Sequence, residues 1–235
     1  MWRKWLCAIG CGCGMAVNAA PLCAASSGTQ QMPLIELFTS EGCSSCPPAD
    51  AWLARQDSSK AILLAWHVDY WNDLGWPDPL SQPAFSERQK QQAGRFAAEV
   101  YTPQFMLNGE PVAPGATPVV PPAGTAFKLQ AQLTPSAGGW LLHLTGTADR
   151  TAPLIYRAVL VGASETHAVR AGENAGRRLR HTHPVLGYWS LPNPIDGYFI
   201  ARPPNRRPVQ LVVWAERQQR IVQAVSVALA GCASR

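Results

Sequence analysis

Two stretches in the first third of the chain are almost wholly apolar, and their pattern predicts strands. Leu34 to Thr39 is bounded by turn residues, and Ala61 to Val68 contains no polar residue before His67. Unbroken apolar runs of this length are typical of strands that are covered on both faces. We therefore expect both segments to lie in the core.

A helical period follows each of these strands. One helix is predicted to begin near Pro47, because Pro is tolerated in a first helical turn and apolar residues recur after it at i, i+3 and i+4. A second helix is predicted over 83–100, and a short strand over 104–109 runs into an Asn-Gly turn. The order strand, helix, strand, helix, strand predicts an α/β unit around a central sheet.

The pattern changes after residue 109. A Pro-, Ala- and Val-rich stretch over 111–122 predicts a linker, and a Gly- and Pro-rich segment over 163–208 predicts a long loop. The remaining segments have the apolar content and spacing of strands, namely Trp140 to Thr147, Leu154 to Val161, Val209 to Ala215 and Arg220 to Leu229. We expect an antiparallel, sandwich-like β-rich domain over 123–231, after an α/β domain over 30–118.

The N-terminus has the pattern of a secretion signal. Two basic residues precede an apolar stretch, and small residues allow cleavage after Ala19, Ala20 or Ala25. The stretch is too short and too Gly-rich for a lasting transmembrane helix, and no other segment predicts one. Residues 1–25 are therefore interpreted as a signal peptide, and the mature protein is expected to be periplasmic or secreted.

Composition and charge narrow the choice of partners. The chain has 235 residues, of which 47% are hydrophobic and 15% charged, with a net charge of +5. This is the composition of a globular protein. Part of the positive charge lies in the predicted signal peptide, and no Lys or Arg run is interleaved with aromatic residues, so we expect no nucleic-acid partner.

The cysteines indicate the chemistry. Four of the seven, including Cys23, lie within the predicted signal peptide, and Cys43 and Cys46 form a Cys-x-x-Cys pair where a strand ends and a helix begins. A tether between Cys23 and Cys232 is possible if cleavage spares Cys23. Otherwise Cys232 is a free thiol near the end of the chain.

A Cys-x-x-Cys pair is a redox pair, half of a zinc site or a soft-metal clip. No second pair follows at the spacing of a zinc site, and a His-x-His at His181 and His183 is interpreted as incidental, so no metal is expected. Backbone N–H groups at a helix start lower the pKa of a thiol. We expect Cys43 to be the nucleophile and Cys46 the resolving thiol, without a further cofactor.

Several segments carry a resemblance to known proteins. Strand, Cys-x-x-Cys, helix and a later Thr-Pro before a strand resemble the thioredoxin fold. The chain is also similar to a secreted family, domain of unknown function 1223 (DUF1223), in the segments Glu36–Asp50, His67–Trp71, Leu74–Trp76, Tyr101–Gln104, Asn108–Gly109 and Arg170–Arg177. The resemblance implies a thioredoxin-like domain followed by a smaller β-rich domain. It also matches Thr102-Pro103 to a cis-proline that faces the cysteines and holds an extended peptide.

Further residues are candidates for supporting roles. Glu36 is a candidate proton shuttle for Cys46, although alternation along a strand places it on the other face. His67 and Asp69 end a strand, where they either bind the following loop or stabilise the Cys43 thiolate. Trp71 and Trp76, in a Pro- and Gly-rich loop, are expected to bind substrate together with the Thr102-Pro103 backbone.

The favoured function is thiol–disulfide exchange with protein or peptide thiols and disulfides. Two alternatives stay open. Both thiolates and His67 form a soft ligand set suited to Cu(I), which would make this a copper-handling protein. The protein could also be a non-catalytic binding protein in which Cys43–Cys46 is a static disulfide.

Overall fold

The computed structural model describes residues 23–113, 118, 123–147, 153–192, 196–218 and 220–232. Its strands, in chain order, are β1 (Ala24–Ser26), β2 (Leu34–Thr39), β3 (Ile62–His67), β4 (Gln104–Leu107), β5 (Glu110–Pro111), β6 (Leu129–Ser136), β7 (Gly139–Gly146), β8 (Ile155–Gly162), β9 (Glu165–Ala168), β10 (Arg178–His181), β11 (Val185–Leu191), β12 (Tyr198–Ala201), β13 (Pro208–Arg217) and β14 (Arg220–Ala228). The α-helices of the described residues are α1 (Pro47–Leu53) and α2 (Pro83–Arg95), and a 3₁₀ turn spans Asn72–Leu74.

Three four-stranded sheets and one hairpin contain these strands. Sheet 1 has the order β3-β2-β4-β5, sheet 2 the order β11-β8-β13-β14, and sheet 3 the order β1-β6-β7-β12. Strands β9 and β10 form a separate antiparallel hairpin. Neighbours are antiparallel throughout, except that β2 and β3 are parallel.

Sheet 2 lies in the middle of the molecule. Along β8, Ala158 and Leu160 pack into a cluster with sheet 3, whereas Val159 and Val161 pack into a cluster with sheet 1. Helix α1 covers the other face of sheet 1, where Leu53 packs against apolar side chains of β2 and β3. A sheet covered on both faces requires apolar residues at successive positions, which explains the unbroken apolar runs in β8 and β13.

The predicted α/β, thioredoxin-like class is wrong. Strands make up 45% of the structure and helices only 12%. The predicted alternation of strands and helices exists between residues 34 and 107, but the second face of sheet 1 packs mainly against sheet 2, and α2 adds Phe85 and Arg88 there. Phe38 and Trp66 on that face pack with Val212 and Trp214 of sheet 2.

The predicted loop over 163–208 is also wrong, because β9 to β12 lie within it. Strands β9 and β10 are short, every second residue in them is exposed, and neither contains an apolar run. The segments with strong apolar patterns were located correctly, including β2, β3, β8, β13 and β14 and the starts of both helices.

Sheets 1 and 2 share a buried cluster that contains residues from both sides of position 120. At its edge, α2 places Arg88 between the sheets, where its Nε donates to Glu36 at 2.7 Å and its Nη1 to Glu216 at 3.2 Å. The division into 30–118 and 123–231 stays a prediction about chain organisation. Most of the predicted linker, at 114–117 and 119–122, lies outside the described residues.

The beginning of the described chain is tied to its end. Strand β1 pairs with β6, and a disulfide joins Cys23 to Cys232. Most of the predicted signal peptide, residues 1–22, lies outside the described residues. Cleavage after Ala19 or Ala20 would keep this disulfide, whereas cleavage after Ala25 would remove Cys23. Neither α-helix in the described part of the chain has the length and apolar character needed to cross a membrane.

Candidate functional site

The candidate site is the loop from Ser40 to Cys46, which we call the cysteine loop. It follows β2 where the parallel strands β2 and β3 end side by side, with Thr39 opposite His67. Two successive turns fold it, in which the Cys43 N–H donates to Ser40 and the Cys46 N–H donates to Cys43, both at 3.2 Å. A Cys43–Cys46 disulfide with a Cα–Cα distance of 5.4 Å closes the second turn.

The disulfide is shielded from solvent. Cys43 and Cys46 are both 0% exposed, whereas Ser44 and Ser45 between them are exposed. A partner sulfur could therefore reach the bond only after neighbouring groups move. The pair forms a disulfide, as expected, but in this structure it is covered.

The segment Val169–Arg177 between β9 and β10, which we call the cover loop, lies against the cysteine loop. Asn174 is buried there, and its Nδ2 donates to the carbonyls of Glu41 and Cys43, both at 2.9 Å. The exposed Glu173 accepts from the Ser44 N–H at 3.0 Å. Three hydrogen bonds thus hold the cover loop against the cysteine loop.

Glu41 connects the cysteine loop to the β9–β10 hairpin through its carboxylate. It is 0% exposed, and its Oε1 accepts from His167 Nδ1 at 2.6 Å and from His181 Nε2 at 2.8 Å. Its Oε2 accepts from Trp76 Nε1 at 2.6 Å. Burial raises the pKa of Glu41, but hydrogen bonds led by that of His181 outweigh it and leave the pKa below its ordinary value. Glu41 is therefore ionised at neutral pH.

A second buried pair lies beside Glu41. His67 Nδ1 is 2.6 Å from Asp78 Oδ2, and the same oxygen accepts from the Glu41 N–H at 2.9 Å. Burial opposes the charge on Asp78, but His67 and the backbone donors lower its pKa to about 2. Burial likewise lowers the pKa of His67, yet Asp78 outweighs it and the net shift is upward. Buried ionisable side chains therefore lie both within the cysteine loop and directly beside it.

The predicted supporting residues separate into different places. Glu36 lies on the face of sheet 1 away from α1, paired with Arg88, as strand alternation predicts. Asp69 accepts from the Ser86 hydroxyl at the start of α2, while His67 pairs with Asp78. The structure therefore does not join His67 and Asp69 in one hydrogen-bonded pair.

The predicted substrate-binding residues lie near the cysteine loop. The Thr102-Pro103 peptide bond is cis, as the resemblance implies. Trp71 Nε1 donates to Thr102 Oγ1 at 2.7 Å, and a Cβ on Gly42 would lie 3.0 Å from the Trp71 Cβ. Trp71 thus connects Thr102 to the cysteine loop, and a side chain at Gly42 would make a tight contact with it. Trp71 and Trp76 are both partly buried, and their roles in substrate binding stay predictions.

Several important residues were missed by the sequence argument, among them Glu41 as a buried carboxylate, Asp78, His167 and the cover loop. Strand β9 has no apolar run that could predict it. The family resemblance did include residues 170–177. It identified this segment as a motif but did not predict that it lies against the cysteine loop. His181, interpreted as incidental, contacts the site directly, whereas the backbone carbonyl of His183 accepts from Ala65 in β3.

Metal-ligating side chains also meet here. Among the described residues, one group of three His, Cys, Asp or Glu side chains brings its ligand atoms within 4.8 Å of one another, and it consists of Glu41, His167 and His181. Cys43, Cys46 and His67 do not form such a group in the disulfide-bonded protein. The Cu(I) site stays a prediction for the reduced form.

Fold and site define a mostly β protein with a covered Cys-Ser-Ser-Cys disulfide. The chain belongs to the DUF1223 family, described as proteins of unknown function, whose family model matches residues 34–227. This confirms the family expected from the sequence motifs. No curated protein matches the chain at a significant level.

Two solved structures have a similar fold. Protein AGR_C_4864 from Agrobacterium tumefaciens superimposes with a TM-score of 0.55 at 21% identity, over 83% of this chain and 93% of that one. HBP35 of Porphyromonas gingivalis superimposes with a TM-score of 0.51 at 16% identity, over 86% of this chain and 76% of that one. At these identities the likeness concerns the fold alone.

Proposed function

We propose that the protein is a thiol–disulfide oxidoreductase that acts through Cys43 and Cys46. The observation that carries this proposal is a buried disulfide between residues only three apart, in a loop that three hydrogen bonds join to the cover loop. So short a loop gains little from cross-linking, about 2 kcal/mol by the chain-entropy relation. A contribution to stability alone is therefore a weak reason for the bond.

The exchange proceeds in two steps. A substrate thiolate attacks the Cys43 sulfur, the Cys43–Cys46 bond breaks, and its electron pair leaves on Cys46. A second substrate thiolate then attacks the substrate sulfur of this mixed disulfide and releases Cys43. The substrate is oxidised to a disulfide, and the protein takes up two electrons as a dithiol. The reverse sequence reduces a substrate disulfide.

Substrate access requires movement of the cover loop. Asn174 and Glu173 hold it by hydrogen bonds, two of them to the backbone around Cys43. Ser44, Ser45 and Glu173 are exposed, so an approaching chain meets this edge first. In this proposal an extended peptide binds beside Thr102, Pro103 and Trp71 once the cover loop is displaced.

The protein is further proposed to act in the periplasm or outside the cell. An oxidising compartment suits both disulfides, because thiols are kept reduced in the cytosol. The N-terminal motif that suggests export lies outside the described residues.

The first test is the reduction potential of Cys43–Cys46 in glutathione buffers, followed by alkylation and mass spectrometry. We expect a potential above about −300 mV, the value below which structural disulfides are typically found. Cys46→Ser should accumulate a mixed disulfide on Cys43 with a disulfide-bonded peptide, because the Cys43 thiolate attacks the peptide disulfide, releases one peptide thiolate and meets no Cys46 thiol to resolve it. Cys43→Ser is the matched control that should not.

Two outcomes would contradict the proposal. A potential below about −300 mV with no mixed disulfide would identify a static bond and favour the binding-protein alternative. Tight Cu(I) binding by the reduced protein, without peptide exchange, would favour copper handling.

A further inference from the structure

Three side chains from distant parts of the sequence converge beside the cysteine loop. Glu41 lies in that loop, His167 in β9 and His181 in β10, and their ligand atoms are all within 4.8 Å of one another. Two imidazole nitrogens face a single carboxylate oxygen. The three residues are far apart in the sequence. They meet because the β9–β10 hairpin packs against sheet 1.

The donor set selects a class of metal. Two imidazoles and one carboxylate, with a further position free for water, are a common ligand set for zinc and related divalent transition metals. Calcium and magnesium favour sites made of oxygen alone, and Cu(I) favours sulfur. The chemistry of these three residues therefore fits zinc.

Outer partners hold the ligands in position. The second nitrogen of His167, Nε2, is 3.1 Å from Glu165 Oε2, and Arg206 binds the same carboxylate at 3.0 Å. Trp76 holds the other oxygen of Glu41. A carboxylate on the distal nitrogen of a ligating histidine is the usual outer partner in metal sites, because it fixes the tautomer and the ring orientation.

Two buried nitrogens around the group lack a partner. His67 Nε2 and His181 Nδ1 make no hydrogen bond, although both rings are almost fully buried, and the ring centroids lie 4.8 Å apart. Buried polar atoms are nearly always satisfied in native proteins. Glu41 is itself a buried carboxylate whose ion pairs are with histidines, which are charged only when protonated. The unpartnered nitrogens are not those that face Glu41, so the buried Glu41 carboxylate with its two histidine partners is what indicates a place for a bound cation.

We propose that Glu41, His167 and His181 bind a zinc ion next to the disulfide. The ion replaces the protons through which His167 Nδ1 and His181 Nε2 now donate to Glu41. Both imidazoles then bind as neutral ligands, the carboxylate stays ionised, and the protons go to solvent. Bound zinc cross-links the β9–β10 hairpin, and with it the cover loop, to the cysteine loop.

The test uses the full chain with both disulfides intact, freed of metal by a chelator. Zn²⁺ is titrated in competition with a chromophoric chelator, and Co²⁺ serves as the spectroscopic probe. We expect one ion per chain and Co²⁺ bands of a nitrogen- and oxygen-ligated site. Glu41→Gln and His167→Gln should each weaken binding by roughly 100-fold or more, since loss of an outer partner alone costs about 10- to 100-fold.

His183→Gln is the matched control, because His183 lies two residues from His181 but outside the group. Its affinity for Zn²⁺ should match that of the unchanged protein. Circular dichroism establishes that each variant is folded. A second measurement uses the unchanged protein and so does not depend on the folding of any variant. Added Zn²⁺ should slow hydrogen exchange of the β9 and β10 amides.

Several outcomes would overturn the proposal. They are a lack of Zn²⁺ binding by the folded protein, equal affinity in folded His167→Gln, or bound Zn²⁺ that leaves exchange in β9 and β10 unchanged. Binding that begins only when Cys43–Cys46 is reduced would assign the metal to the thiolates instead. The measurements are made on the oxidised protein, so failure of the zinc site and failure of disulfide exchange are separate results.

Discussion

Cys23–Cys232 joins residues 209 apart, whereas Cys43–Cys46 joins residues three apart. Cross-linking stabilises a fold mainly by restricting the unfolded chain, and the effect grows with the closed loop. The chain-entropy relation gives about 5 kcal/mol for the long loop and about 2 kcal/mol for the short one. The two bonds therefore differ in how much folding depends on them.

The two disulfides also differ in their surroundings. Cys23 and Cys232 belong to the apolar cluster between sheets 2 and 3. Cys43 and Cys46 lie among polar groups, under a loop held by three hydrogen bonds. A bond in an apolar core is protected by the whole fold, whereas a bond under a hydrogen-bonded loop can be uncovered locally. This contrast points to stability as the role of the first bond and chemistry as the role of the second.

The largest expected effect is on stability, from removal of the long-range bond. Cys23→Ala combined with Cys232→Ala should lower the free energy of unfolding by about 5 kcal/mol, because the unfolded chain regains its loop entropy. Denaturant titration of oxidised protein measures the change. A loss of less than about 2 kcal/mol would remove the contrast between the two bonds.

The matching double variant is Cys43→Ala with Cys46→Ala. Here the expected loss is only about 2 kcal/mol, since the closed loop is short. The same titration checks it, with the long-range bond intact as the internal reference. Equal losses in the two double variants would mean that loop length does not govern their contributions.

Asn174 allows the cover itself to be weakened. Asn174→Ala removes two hydrogen bonds to the cysteine loop, each worth about 1 kcal/mol, so local opening becomes easier. We expect Cys43–Cys46 to be reduced by dithiothreitol about tenfold faster or more, with no change at Cys23–Cys232. Timed alkylation and mass spectrometry report both bonds in one sample. An unchanged rate at Cys43–Cys46 would show that Asn174 does not limit access.

The smallest expected effect is a dependence of stability on pH, caused by the buried titratable residues beside the cysteine loop. The pKa of His67 is raised above its ordinary value of 6.5, so its contribution is complete below 6.5 and is lost as pH rises through the folded value. Asp78 acts on the acid side, where its contribution is lost as pH falls from 3.8 through about 2. Burial raises the pKa of Asp50, which opposes Asp78 in acid.

Denaturant titrations from about pH 5 to about pH 9 measure the His67 contribution, which should not exceed about 1.4 kcal/mol per pH unit. His67→Gln should flatten this slope. A slope that persists in His67→Gln would assign the titration to another group.

Local pattern was sufficient to locate much of the structure. Apolar runs identified β2 and β3, and the helical period identified the start of α1. The spacing of Cys43 and Cys46 indicated the bond between them. These features depend on residues close together in the sequence, where side-chain period and turn chemistry decide the outcome.

The errors came from contacts between distant segments. Nothing local to β2 or β3 shows that Phe38 and Trp66 pack against side chains of another sheet. Glu41 binds His167 and His181, which lie 126 and 140 residues away along the chain. Both belong to a hairpin that has no apolar run. Cys23–Cys232 was left open because the pairing depends on whether signal cleavage spares Cys23.

The Cys23–Cys232 bond also gives the chain the covalent topology of a ring. A protease that cuts once between these residues opens the ring but releases no fragment, because the two pieces remain joined through sulfur. Such a nick would be invisible by mass on a non-reducing gel and would appear as two bands only after reduction. A molecule cut once in an exposed loop would therefore persist as one covalent unit.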